Sequence, residues 1–244
     1  MFNFLTRFIQ SPYAQGFDRF YRQAPLSPAY TELDQDIFKG PGLSFNMMGT
    51  EQWSWLHQNI SPQKSLCDLG CGIGELAKSY PDNSENLGLD FSAQAIEQAM
   101  LRNKNTQWSF QCWDYSRGRI PVNRKWDQIV SIDSLYQFSS KPHLLNRLKK
   151  YLNNDGRLII FMSEKPSGPL SLFLESAFLI EKKRDFSDEW YFTIQESKKF
   201  LSHLSSQERK SYNFLWETKE KEIQKNLSSF QDGTKRFGLV LTKK

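Results

Sequence analysis

Long apolar runs are missing from this chain. Its most hydrophobic stretches, Arg157 to Met162 and Gln128 to Ile132, fall far short of the roughly 18 residues a membrane span needs, so no transmembrane helix is expected. Met1 to Gln10 has no basic start, long apolar core or small-residue cleavage site, and reads as an amphipathic helix rather than a signal peptide. A cytoplasmic protein is the expectation. Cysteine is scarce too: of three, Cys67 lies inside an apolar run and Cys71 in a glycine loop, which fits neither a disulfide nor a zinc framework. The three histidines, His57, His143 and His203, fall on predicted helices without a companion at metal spacing, so no metal is assigned. Long blocks of one charge are also absent. The net charge is +5, but its basic residues are scattered among acids, with short clusters only at Lys182-Lys183-Arg184 and Lys243-Lys244. That pattern describes a solvated surface and argues against a nucleic-acid partner. Neither an internal repeat nor a low-complexity linker divides the 244 residues, and nothing fixes an oligomeric state.

What is present is alternation. From about residue 62, short β-like runs alternate with helical patterns, the order of a mainly parallel sheet covered by helices on both faces. Ser65 to Leu69, Asn86 to Asp90, Gln107 to Cys112, Asp127 to Ile132 and Arg157 to Met162 read as strands, and Arg236 to Leu241 as the last. Gly74 to Tyr80, Ser92 to Arg102 and Ser140 to Leu152 read as helices, the second with Ser92 as N-cap, the third stopped by the turn Asn153-Asn154-Asp155-Gly156. After the turn Ser167-Gly168-Pro169, an apolar run to Ile180 reads as helix, and 194 to 204 and 208 to 228 carry helical spacing. The expectation is one domain: an aromatic, helical cap over residues 1–60, a main body over 61–244, and a helical, substrate-covering elaboration at about 165–230.

The most informative stretch is Ser65-Leu-Cys-Asp-Leu-Gly-Cys-Gly-Ile-Gly-Glu-Leu76. A strand enters a loop containing Gly70, Gly72 and Gly74 and leaves as a helix, and glycines suit a sharp turn whose backbone approaches a ligand closely. Several cofactors fit that description, and the flanking acids choose among them. Asp68 would stand beside a pyrophosphate in a dinucleotide site and repel it. The ammonium and sulfonium of S-adenosylmethionine instead suit negative surroundings. Asp90, at the end of the second strand, can accept both ribose hydroxyls. Asp114, after the third, can meet the adenine amino group, with Cys112 to Tyr115 forming part of that pocket. Singly, Asp68 could be a helix-capping acid, Asp90 a turn residue and Asp114 a loop acid. Three acids at three successive strand ends around a triple-glycine loop leave that reading strained.

Leu-Cys-Asp-Leu-Gly-Cys-Gly-Ile-Gly, Gly-Leu-Asp-Phe-Ser and Cys-Trp-Asp-Tyr resemble the successive cofactor motifs of class I S-adenosylmethionine-dependent methyltransferases, over roughly residues 62–162. The resemblance implies a Rossmann-like seven-stranded, mostly parallel α/β sheet whose last strand runs antiparallel. It also implies a donor site at Asp68, Gly70, Cys71, Gly72, Gly74, Asp90, Phe91, Trp113, Asp114, Tyr115 and Ser131, and release of S-adenosylhomocysteine.

For the acceptor, the segment after the fourth strand, Ser131-Ile-Asp-Ser-Leu-Tyr-Gln-Phe138, carries neither the Asp/Asn-Pro-Pro-aromatic sequence of DNA amino-methyltransferases nor a Pro-Cys nucleophile pair. With Phe-Asp-Arg-Phe-Tyr and Gly-Leu-Ser-Phe-Asn-Met-Met upstream, it is similar to a branch of small-molecule methyltransferases. Where members of that branch carry a His-Gly pair, this chain has Ser44-Phe45-Asn46-Met47. Tyr136 and Asp133 are the candidates beside the acceptor, and Tyr21, Phe45, Asn46 and Met47 the candidates for a lid that binds it, with core packing as the plainer role. A small-molecule acceptor is expected. RNA or protein methylation, S-adenosylmethionine binding without transfer, and a dinucleotide oxidoreductase are the alternatives.

Overall fold

The computed structural model describes residues 12–38, 46–81, 86–113, 123–135, 141–166 and 177–244. The helix expected over 1–10 and the turn at 167–169 lie outside them. Seven strands form one sheet in the order β3-β2-β1-β4-β5-β7-β6. β1 (Leu66–Leu69), β2 (Asn86–Asp90), β3 (Trp108–Cys112), β4 (Trp126–Ile132) and β5 (Leu152–Glu164) are mutually parallel. β7 (Lys235–Lys243) runs antiparallel to both of its neighbours, β5 and β6 (Phe178–Asp185). The Rossmann-like sheet is therefore as expected, with Arg236–Leu241 in the antiparallel strand. The chain steps outward from β1 to β2 and β3, then returns to place β4 on the other side of β1. Such a reversal opens a crevice at the carboxyl ends of β1 and β4.

Along the chain the helices are α1 (Pro12–Gln23), α2 (Pro28–Leu33), α3 (Thr50–Asn59), α4 (Glu75–Ser79), α5 (Ala93–Arg102), α6 (Lys141–Tyr151), α7 (Ser187–Ser202), α8 (Ser206–Ser211) and α9 (Asn213–Gln231). Every residue of β1 and β2 is buried, because helices cover both faces of these central parallel strands. On one face Cys67, Leu69, Ile129 and Ile160 pack with Leu145 and Leu148 of α6. On the other Leu66, Val130 and Phe161 pack with Trp55 and Leu56 of α3, Leu76 of α4 and Ile96 of α5. α3 lies close enough that a Cβ at Gly238 of β7 would sit 2.9 Å from the Trp55 ring.

Two local readings are corrected. The apolar run read as helix to Ile180 ends instead in β6, where Leu179 and Ile180 pair with Thr242 and Leu241. β6 is an edge strand whose Glu181 to Asp185 are all exposed, so it lacks the alternation that marks a half-buried strand. Asn153 to Gly156 does not separate helix from strand. The pairing of β5 with β4 begins at Leu152↔Trp126 and jumps to Arg157↔Gln128, so the turn sequence bulges from within β5.

A third cluster lies over the crevice side. Phe20 and Tyr21 of α1, Tyr30 and Leu33 of α2, Phe38, Met47, Trp190 and Ile194 of α7, and Leu215, Trp216 and Ile223 of α9 pack together, with Ile73 and Ala95 as their floor. In its middle the Lys219 ammonium, 1 % exposed, pairs with Glu222 at 2.8 Å and lies 5.4–5.7 Å from the ring centres of Phe20, Tyr30 and Phe38.

Candidate functional site

The crevice is built on the β1–α4 loop. Gly70, Gly72 and Gly74 all have positive φ, at 84°, 53° and 80°, where a side chain would be strained. Gly74 is the N-cap of α4, and a Cβ there would lie 2.6 Å from Asn103 Nδ2 and 2.9 Å from the Phe110 ring. The N–H groups of Gly70 and Cys71 both donate to Leu89 O, at 2.7 and 2.9 Å, which ties the loop to the end of β2. Cys71 is buried, its thiol against Gly72 O.

Asp90 organises the other wall. One carboxylate oxygen accepts from Gly72 N–H at 3.0 Å, the other from Ser92 N–H at 2.8 Å. Burial pushes its pKa up to about 6, against the opposing pull of those N–H groups. Asp68, at the same edge on β1, is buried, and no hydrogen bond reaches its carboxylate among the described residues. Burial, with Asp90 adding repulsion, pushes it up to about 8. Glu75, first residue of α4, is a third buried acid whose Oε1 has no hydrogen-bond partner among the described residues, and burial and then Asp34 raise its pKa. Three buried carboxyl groups around one glycine loop, reluctant to ionise while buried, make a pocket edge that a cationic ligand would draw into the charged form and that would repel a pyrophosphate once charged.

The remaining residues singled out in the sequence divide. Tyr21 reaches the glycine loop: a Cβ on Gly72 would lie 3.3 Å from its hydroxyl. Burial, and next the charge of Asp90, raise the Tyr21 pKa well above the usual tyrosine range. Phe91 meets Phe17 of α1 edge-on at 5.1 Å. Trp113 is buried in the sheet core, its N–H donating to Asp90 O at 2.7 Å. Ser131 shares a hydrogen bond with Ser134, whose hydroxyl donates to Leu69 O at 2.6 Å and so laces the end of β4 to β1. Met47 is buried in the third cluster with Asn226 Nδ2 at 3.0 Å from its sulfur, and Asn46 Oδ1 accepts from Met48 N–H at 3.0 Å. Asp133, directly after β4, has φ 51° and is gripped by both terminal nitrogens of Arg236. Phe45, Asp114, Tyr115 and Tyr136 lie outside the described residues.

Sequence reasoning missed Glu75, Asp18 and Arg236. Glu75 had a signal, since it directly follows the last loop glycine. Asp18 of α1 accepts hydrogen bonds from Ser92 Oγ and Gln94 N–H, holding α1 against the start of α5. Asp18 lies in the Phe-Asp-Arg-Phe-Tyr segment noted above, but its contact with α5 has no local signal, nor has the role of Arg236, because each acts on a residue far away in the chain.

Residues 49–218 match the family described as Methyltransferase domain. Phosphoethanolamine N-methyltransferase 1 of Arabidopsis thaliana is 24% identical over 172 residues, which are 68% of this chain and 35% of that protein. The chain thus spans about a third of that relative's length. Among solved structures, the [4+2]-cyclase SpnF superposes with a TM-score of 0.65 at 16% identity, over 91% of this chain and 95% of that one. Phosphoethanolamine N-methyltransferase 2 of Haemonchus contortus, solved with phosphomonomethylethanolamine and S-adenosylhomocysteine, gives 0.63 at 16% identity, over 96% and 60%. At these identities the two superpositions speak for the fold alone.

Proposed function

This chain belongs to the methyltransferase domain family, and from that premise we propose that it transfers the methyl group of S-adenosylmethionine to a small-molecule acceptor. The observation that carries the donor is Asp68, a buried acid that no hydrogen bond reaches among the described residues, beside a second buried acid, Asp90. A cationic donor favours the ionised form of these acids. Asp90 accepts from the ribose hydroxyls with the lone pairs that Gly72 and Ser92 leave open, and Asp68 faces the cationic end. Gly70, Cys71 and Gly72 offer backbone at close range. Tyr21 and Phe17 close the crevice against water, and the Ser131–Ser134–Leu69 chain holds the acceptor-side turn.

The bound donor supplies an electrophilic methyl on a sulfonium. The acceptor's lone pair forms the bond to that carbon as the S–C pair returns to sulfur, and any acceptor proton leaves to solvent or a base. The protein's task is alignment and exclusion of water. Tyr136 stays a candidate beside the acceptor on its place in the sequence. Asp133, whose oxygens both serve Arg236, is read as an anchor of the turn.

Thermal melting tests the reading. S-adenosylmethionine and S-adenosylhomocysteine should each raise Tm, and Asp90→Ala should abolish most of the shift. Unchanged melting at millimolar S-adenosylmethionine would sink the assignment. Release of S-adenosylhomocysteine across a panel of small amines, phosphoethanolamine included, then tests transfer itself.

A further inference from the structure

Asp133 is the one non-glycine residue with positive φ among the described residues, at 51°. The left-handed conformation is one that most side chains avoid; glycine adopts it freely, and asparagine and aspartate visit it only as single residues with local support. Its position is central: Asp133 N–H donates to Phe161 O at 3.2 Å, closing the β4–β5 ladder, and Ser134 next to it is tied to Leu69 just before the glycine loop. Something must hold this residue in place.

Arg236 does so, and it can because β7 is reversed. An antiparallel strand begins where its parallel neighbours end, so its second residue stands at the carboxyl edge, across from Ser163 of β5. The guanidinium is 2 % exposed and makes a two-pronged pair with Asp133, one prong at 2.8 Å. Its Nε donates to Gln52 Oε1 of α3 at 2.9 Å, while its own N–H donates to Ser187 Oγ at 3.0 Å and its carbonyl accepts from Phe186 N–H at 2.8 Å. β4 and α3 thus meet at the Arg236 side chain, and the start of α7 is held by its backbone. The planar fork matters, since an ammonium cannot grip two carboxylate oxygens and Gln52 in one plane.

We infer that Arg236 is a positioning residue for methyl transfer: it clamps Asp133 in the left-handed conformation and so fixes the turn at 133–135 that borders the crevice. This rests on the methyltransferase reading of that crevice. The donor is held by β1 and β2, so loss of the clamp disturbs acceptor alignment and leaves donor binding in place.

Four full-length proteins test it: the native chain, Arg236→Met, Asp133→Gly and the double variant. Asp133→Gly should lower Tm in the native background, where it breaks the pair. In the Arg236→Met background it should raise Tm, because glycine there relieves both the strain and a carboxylate without its partner. Equal lowering in both backgrounds overturns the clamp, and this arm needs no acceptor. With an acceptor that the native protein methylates, Arg236→Met should lose about 10- to 100-fold in kcat, with Kd for S-adenosylhomocysteine within about threefold. A folded Arg236→Met with native kcat overturns the positioning role. Should Arg236→Met fail to fold, Arg236→Lys and its double variant with Asp133→Gly take its place in both arms. If the native protein neither binds nor consumes S-adenosylmethionine, the proposed function fails while the melting cycle still decides the clamp.

Discussion

At the residue scale, the acids of the crevice are held in a form that water would not give them. An aspartate carboxyl ordinarily loses its proton near 3.8, whereas Asp68 holds it to about 8 and Asp90 to about 6. Between about pH 4 and 8 the folded, ligand-free protein therefore binds protons that the unfolded chain has released, and linkage makes these groups' contribution to stability fall as pH rises through that window. The Tm of ligand-free protein should drop from pH 5 to pH 8 by more than that of Asp68→Asn. Equal drops would remove Asp68 as the cause. A cationic donor favours the charged carboxylate, so binding of S-adenosylmethionine at pH 7 should expel a proton. Calorimetry in two buffers of different ionisation heat measures this, and proton uptake would place the cation elsewhere. The loop glycines, Asp68 and Asp90 were legible as candidates in the sequence because each lies at or just after the end of a strand whose local pattern marks it. Arg236 was not: its partners Asp133 and Gln52 are brought to it only by the sheet and by α3.

At the scale of elements, local chemistry was a good guide where an element carries its own signal and failed where packing decides. Ser92 caps α5 as read, its hydroxyl accepting from Ala95 N–H at 3.1 Å. β6 stayed hidden because an exposed edge strand advertises neither alternation nor a core. α9 holds a similar surprise in Lys219, which sequence would place on a solvated face yet which lies among Phe20, Tyr30 and Phe38. A buried ammonium forfeits hydration, and the rings and a half-exposed Glu222 offset only part of that loss. Lys219→Met keeps the stem packed and removes the charge. Its urea midpoint should match or exceed the native value, by up to about 1–4 kcal/mol in unfolding free energy. Lys219→Ala should fall about 2 kcal/mol or more below it, because a cavity opens. If Met proved as damaging as Ala, the charge itself would be holding the helices together.

On the scale of the whole molecule, alternation of strand and helix gave away the class of fold, since five parallel strands with crossover helices leave few topologies. Strand direction at the far edge was not legible from residues alone, as antiparallel and parallel partners look alike in a short apolar run. The consequence is structural as well as catalytic. β7 joins β5 to β6 in the sheet, and its Leu239, Val240 and Leu241 feed the cores on both faces. Removal of residues 235–244 should leave no cooperative melting transition by circular dichroism, whereas a sharp transition would show that five parallel strands suffice.

The same strand sets a schedule for synthesis. β5 can pair with β4 as soon as it is made, but its other edge is completed only by a segment that the ribosome reaches after all of β6, α7, α8 and α9. At about 5–20 residues per second, an apolar strand edge stays open for several seconds on every nascent chain. Until Lys235 and its successors emerge, β6 has no strand to join, and that interval is when the chain is most exposed to aggregation and to chaperones.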